Sequence, residues 1–214
     1  MTLFEALSVG VLAIVVLVGV FLLVVVLRNP ARSSAGQLLG EGDFAEALAV
    51  ADTSPSAERE DLRAAAIASR QMLELERAQH LGRRLIELDG EDGEAWLELG
   101  LAQGYAGSMD QARESLGQAT RLRADLLESI SLHRAWLELR AGRKDEARAI
   151  FEEIAAPLES KLRHDLGPGD PLFAEWFLHA ADLWEAAGDS ERADWARREA
   201  HAAAPGSPLV ARFG

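Results

Sequence analysis

The 214-residue chain has no cysteine. That excludes disulfides, thiol nucleophiles, thiolate zinc sites and iron–sulfur clusters together, and leaves the redox compartment open. Lysine is nearly missing too, with Lys144 and Lys161 the only two among 22 basic residues. Strand-like alternation of apolar and polar residues does not occur. Neither does any HExxH, P-loop, GxGxxG or nucleophile-elbow pattern. Acidic residues outnumber basic ones, 35 to 22, for a formal net charge of −13. Glu5 is the only charged side chain before Arg28, so nearly all of that charge lies on the body. An acidic body argues against nucleic acid as a partner, because a polyanion demands a basic surface.

What the chain does have, at its front, is a long apolar run. Residues 6–27, ALSVGVLAIVVLVGVFLLVVVL, carry no charge. As a helix of about 1.5 Å rise per residue the run would span about 33 Å, enough for a hydrocarbon core of about 30 Å. A cleaved signal peptide fits less well: no basic residue precedes the run, and RNPARSS follows it rather than a small-residue cleavage site. A buried helix of a soluble domain fits less well still, because Val, Leu and Ile cover its whole circumference. The expectation is an anchor over 1–30, a single-pass span whose partner is the lipid bilayer. Arg28 and Arg32 after the span place the body on the cytoplasmic side of a cell inner membrane.

Beyond Pro30 the pattern turns to amphipathic helix almost throughout. Turn signals fall at DTSPS (52–56), LDGEDG (88–93), GPGDP (167–171) and APGSP (204–208). One phrase recurs: EGDFAEAL at 41–48, AGSMDQAR at 106–113, AGRKDEAR at 141–148 and AGDSERAD at 187–194. Each pairs a glycine (Gly42, Gly107, Gly142, Gly188) with an alanine five positions on (Ala47, Ala112, Ala147, Ala193). A fifth copy fits at Ala78, with Leu73 in the glycine slot. Successive alanines lie 31, 34, 35 and 46 residues apart. A period near 34 is that of a helix–turn–helix array.

Residues 93–126, GEAWLELGLAQGYAGSMDQARESLGQATRLRADL, resemble a tetratricopeptide (TPR) repeat. Trp96, Leu99 and Gly100 match its first helix, and Ala112, Leu116 and Ala119 its second; Gln103 and Ala124 depart from it. The resemblance extends loosely over 31–206. The fourth copy keeps Ala147, Phe151 and Ile154, and the fifth keeps Ala180, Ala181, Trp184, Ala193, Ala200 and Pro205. It implies an all-α chain: a right-handed α-solenoid of about five TPR-like hairpins, with an insertion near 155–171 and a tail at 207–214. One hairpin cannot bury its own apolar face, so stacking supplies the core. An irregular helical bundle in an alanine-rich chain is the alternative.

Among the candidates for chemistry, His133 and His179 fall inside first helices and read as packing or surface residues. His164, Asp165 and Asp170 share a loop where a metal site is conceivable, but capping aspartates on a solvated loop explain them as well. No catalytic residue, cofactor or metal is expected. An enzyme site in the 155–171 insertion is the contrary reading.

Trp136 occupies a first-helix position that in the TPR family faces the concave groove. Carrying that position along the repeats implies a lining of Arg63, Arg70, Leu97, Leu101, Tyr105, Leu132, Trp136, Arg140, Leu178 and Asp182. An aromatic and aliphatic centre flanked by arginines suits a peptide segment with apolar anchors. The lysine and asparagine of the family's carboxylate clamp are missing. By resemblance, the expectation is a membrane-anchored scaffold that holds a protein partner in envelope assembly or quality control. The same scaffold on the extracytoplasmic side, as a translocon- or maturation-associated factor, is the alternative.

Overall fold

Four glycines and one leucine turn the chain at the hairpin corners. Gly42, Gly107, Gly142 and Gly188 have φ of 79°, 85°, 79° and 85°, and Leu73 in the fifth corner has φ of 60°. The computed structural model describes residues 34–53, 59–164 and 171–213. The apolar run at 6–27, and with it the expected anchor over 1–30, lies outside the described residues. Among the described residues there is no strand, and no helix is long and apolar enough to cross a membrane.

The five hairpins are α1 (Ala35–Gly40) with α2 (Phe44–Thr53), α3 (Arg59–Gln71) with α4 (Leu75–Leu88), α5 (Gly93–Tyr105) with α6 (Met109–Leu122), α7 (Leu127–Arg140) with α8 (Lys144–His164), and α9 (Ala174–Ala186) with α10 (Ser190–Ala203). Short 3₁₀ turns at Ala124–Leu126 and Pro171–Phe173 lead into α7 and α9, and a last helix, α11 (Pro208–Phe213), follows the array. Each helix packs on its chain neighbours, as stacked hairpins must.

The repeated phrase in the sequence is one repeated hydrogen-bond pattern. At every corner the amide just beyond the left-handed residue donates to a carbonyl five positions back. The pairs are Asp43 to Leu38, Glu74 to Ser69, Ser108 to Gln103, Arg143 to Glu138 and Asp189 to Trp184, all between 2.8 and 2.9 Å. This is the Schellman closure, which satisfies carbonyls left over at a helix end and needs a left-handed residue to do so. The alanine five positions beyond the turn residue then meets the partner helix. Ala47, Ala78, Ala112, Ala147 and Ala193 are all buried.

Gly100 shows how close the helices come. A Cβ there would lie 2.8 Å from Leu116 Cδ2 and 3.3 Å from the Ala112 carbonyl oxygen. Leu99 and Leu116 are buried beside it, whereas Trp96 is half-buried and donates its indole N–H to the Gly90 carbonyl.

The insertion near 155–171 is helix over its first half. The buried stripe of α8 runs Ala147, Phe151, Ile154, Leu158, Leu162, so the same face continues to His164 past the exposed Pro157. His164 itself is exposed, and Asp165 and Asp170 lie outside the described residues. The segment 207–214, expected as a tail, instead carries α11, with Leu209 and Val210 buried.

Two substitutions separate the two jobs of glycine. Gly142→Ala meets open space, so its cost is the left-handed backbone alone, about 1–2 kcal/mol. Gly100→Ala overpacks the third hairpin at a cost of about 1–3 kcal/mol. Both are expected to lower the urea midpoint while leaving the urea dependence of stability unchanged.

Candidate partner-binding face

First helices contribute one face each to the inside of the array, and in this chain those faces meet. Arg70, on α3, pairs with Glu98 on α5 at 2.8 Å and with Glu175 on α9, 105 positions away. Pro171, just before α9, sits against the Gly42 corner. Helices from the second and fifth hairpins therefore touch, and the row curls until its inner wall closes on itself.

The predicted lining divides accordingly. Leu97, Leu101, Tyr105, Leu132, Trp136 and Leu178 are buried, Trp136 with only 2% of its surface exposed. They lie together in the packed interior. The expectation of an open channel over them is corrected by their own bulk, which fills the curl. Arg70 is equally buried and committed to its two glutamates. Arg63 points elsewhere, to Asp92 at 2.7 Å and Glu94 at 2.8 Å at the start of α5. Asp92 caps that helix by accepting from the Glu94 and Ala95 amides. Burial would raise the Asp92 pKa, but hydrogen bonds from Arg59, Ala95 and Arg63 outweigh it and hold the group ionised below its ordinary range. Of the ten, Arg140 is exposed and Arg63 and Asp182 are partly so; Arg140 and Asp182, both beside Trp136, form the rim.

At the centre lies a polar and aromatic chain. Tyr105 Oη is 2.7 Å from His179 Nε2, and His179 Nδ1 is 2.8 Å from His133 Nδ1. Trp136 stacks on His179 with centroids 3.9 Å apart and planes 12° from parallel. Its indole N–H donates to Asp182 Oδ2 at 3.0 Å. One proton on each imidazole satisfies this chain: where Tyr105 donates to His179, His179 donates in turn to His133. Burial, then Arg70, pushes His133 down to about 3. Burial, His133 and the two arginines Arg70 and Arg140 hold His179 well below 6.5. Burial likewise raises Tyr105 and Asp182, the latter against the Trp136 hydrogen bond and the charges of Arg197 and Arg140.

Sequence reasoning places both histidines in first helices, as packing or surface residues, without showing that they touch. The signal is nonetheless present. His133 and His179 are 46 apart, as are Trp136 and Asp182, and 46 is the spacing from Ala147 to Ala193. Equivalent positions of adjacent repeats are neighbours.

The last helix covers the end of this face. Ser207 caps α11 by accepting from the Val210 amide at 3.2 Å, and its hydroxyl donates to Gln71 Oε1 at 2.6 Å. Phe213 lies 5.3 Å from the Tyr105 ring, with the Arg140 guanidinium 5.1 Å above it and 5.4 Å from Trp136. Burying Leu209 and Val210 contributes about 3–6 kcal/mol, and the serine cap about 1 kcal/mol. Ordering six residues costs about 6–12 kcal/mol of backbone entropy. The ordering cost exceeds these two terms by a few kcal/mol, which leaves the Phe213 ring contacts and the Ser207–Gln71 hydrogen bond to hold the helix.

Two buried neutral histidines make stability fall with acid. Their folded pKa values lie below the ordinary 6.5, so as pH drops the unfolded chain takes up protons first. Stability is whole above about pH 7 and declines from 6.5 towards 3. Between about pH 7.5 and about pH 5.5 the wild type is expected to lose about 2–3 kcal/mol in urea unfolding. A His133→Gln/His179→Gln variant should show little change over that interval.

No protein-family model matches this chain, and no curated protein does. Solved structures do. A thermophilic TPR protein from Thermus thermophilus is 18% identical, with 84% of this chain and 93% of that one covered at a TM-score of 0.57. A putative kinesin light chain from Podosopora anserina, with nearly identical TPR-like repeats, is 17% identical over 82% and 94%, at 0.50. MamA is 18% identical over 77% and 91%, at 0.49. At such identities the likeness carries the fold, and the first two suffice for it: the described chain is a TPR-like helical repeat.

Proposed function

We propose that this chain is a membrane-tethered scaffold that holds a protein partner on its first-helix face, at the inner side of a bacterial-type plasma membrane, in envelope assembly or quality control. TPR-like folds generally bind protein partners, and that general property is the starting point. The observation that carries the reading to this chain is the convergence of Tyr105, Trp136 and Asp182 from three successive hairpins, with Arg140 exposed at the rim. An aromatic centre with one exposed guanidinium is the composition of a binding hot spot. The charge-free run at 6–27 supports the tether, and Arg28 and Arg32 support the orientation. Tethering raises the local concentration of a captured partner near membrane complexes without any new contact.

Buried Leu101 and Trp136 are poor probes, because replacing either dismantles the core. Arg140→Glu changes an exposed side chain, is expected to fold by circular dichroism, and reverses the rim charge. Capture of a crosslinked partner from solubilised membranes is expected to fall at least about tenfold for this variant. A chain lacking residues 1–30 should leave the membrane fraction, and an alkaline phosphatase fused after Gly214 should be inactive. Undiminished capture by Arg140→Glu overturns the binding face, and an active fusion overturns the orientation.

A further inference from the structure

The partner-binding face already has an occupant. Helix α11 lies across the ends of the first helices, touching α3 and α9 and reaching Tyr105 and Arg140 through Phe213. Its inward side is Leu209, Val210 and Phe213, and its outward side, Ala211 and Arg212, is exposed. We propose that residues 207–213 are an intramolecular ligand of this face, displaced by a partner segment that presents two adjacent aliphatic side chains and an aromatic one turn later.

Three features set α11 apart from the array that it covers. It is six residues long, far below the length at which a helix holds by itself, so its helical form depends on docking. Among the described residues it has no antiparallel partner helix of its own, and it joins α10 through the exposed Pro205 and Gly206. Its polar attachment is concentrated in one side chain, Ser207, which reaches both the Gln71 side chain and, at 3.4 Å, the Gln71 carbonyl. A segment held by two aliphatic side chains, one ring and one hydroxyl is replaceable by another segment with the same groups. Removing it uncovers the Phe213 side of Tyr105 and of the Arg140 guanidinium without breaking any hairpin corner or the Arg70 ion pairs. This assignment rests on reading the face as a partner-binding surface, and it names both the chemistry that the partner must carry and what keeps the face closed until it arrives.

The test uses the full chain in detergent and a synthetic peptide of residues 204–214. Hydrogen exchange on the wild type is expected to show Val210–Phe213 amides protected at least about a hundredfold less than those of Leu97–Gly104. Equal protection makes α11 part of the cooperative core and overturns the proposal. A Leu209→Asp full-length variant, with its own segment released, should bind the labelled peptide at least about tenfold more tightly than wild type. A peptide carrying Phe213→Ala should bind less tightly than the parent peptide. Equal, weak binding to both chains overturns it, as does a wild-type dimer that the peptide dissociates, which places the segment on a second copy. Failure of Arg140→Glu to affect partner capture, with these outcomes intact, defeats the proposed function and leaves the intramolecular ligand standing.

Discussion

A guanidinium cannot be left unpaired inside a protein, and Arg70 is 3% exposed. Its two carboxylates come from different hairpins, Glu98 from the third and Glu175 from the fifth. Glu98 balances the charge of Arg70, and Glu175, itself 3% exposed, reaches Arg70 where the array curls until α3 meets α9. Everything at the inner wall follows from that closure. Tyr105, Trp136, His133 and His179 are packed because the wall has come together around them, and only its far end, under α11, keeps a surface that another chain could share.

Five hairpins of one spacing would repeat one rotation at each step. This chain departs furthest between the fourth and fifth copies, where the alanine spacing widens to 46. The extra length goes first into α8, which has 21 residues where α4, α6 and α10 have 14. Seven added residues carry the chain about 10 Å further before it turns back. The chain returns with Pro171 at the Gly42 corner and Glu175 at Arg70. The irregular step and the closing contacts thus belong together, and the described part of the insertion, 155–164, lengthens α8.

The corners are the most legible part of the fold, because a left-handed residue at a helix end constrains amino-acid type directly. Even Leu73, with the wrong side chain, is found by register and has the positive φ that its slot requires. The continuation of α8 is legible too, since Leu158 and Leu162 extend the stripe from Ala147 in plain helical steps, but the prolines and glycines nearby mask it by pointing to a loop. The lining of the inner wall is legible as a set and not as a surface. Register along repeats tells which residues point inward, but whether an inward side chain meets water or another repeat depends on curvature, and curvature depends on pairings such as Arg70 with Glu175 that no local pattern encodes. The anchor expected at 6–27 lies outside the described residues and rests on charge and length.

A wall closed by neutral histidines, an indole and a half-buried carboxylate differs from one closed by leucines. Each polar group there has its hydrogen bond only while its partner is in place: Asp182 needs the Trp136 indole, and His179 needs Tyr105 and His133. Such a network loses more per displacement than an apolar contact of the same area, since a stranded buried donor or acceptor keeps its desolvation penalty. That makes the centre of the wall resistant to partial opening and concentrates any exchange of contacts at its edge, where Arg140, Tyr105 and Phe213 meet. Division of labour follows from the chemistry: the interior holds the curl at one curvature, and the rim, aromatic and cationic and covered by one short helix, is the part whose contacts can be traded for those of another polypeptide.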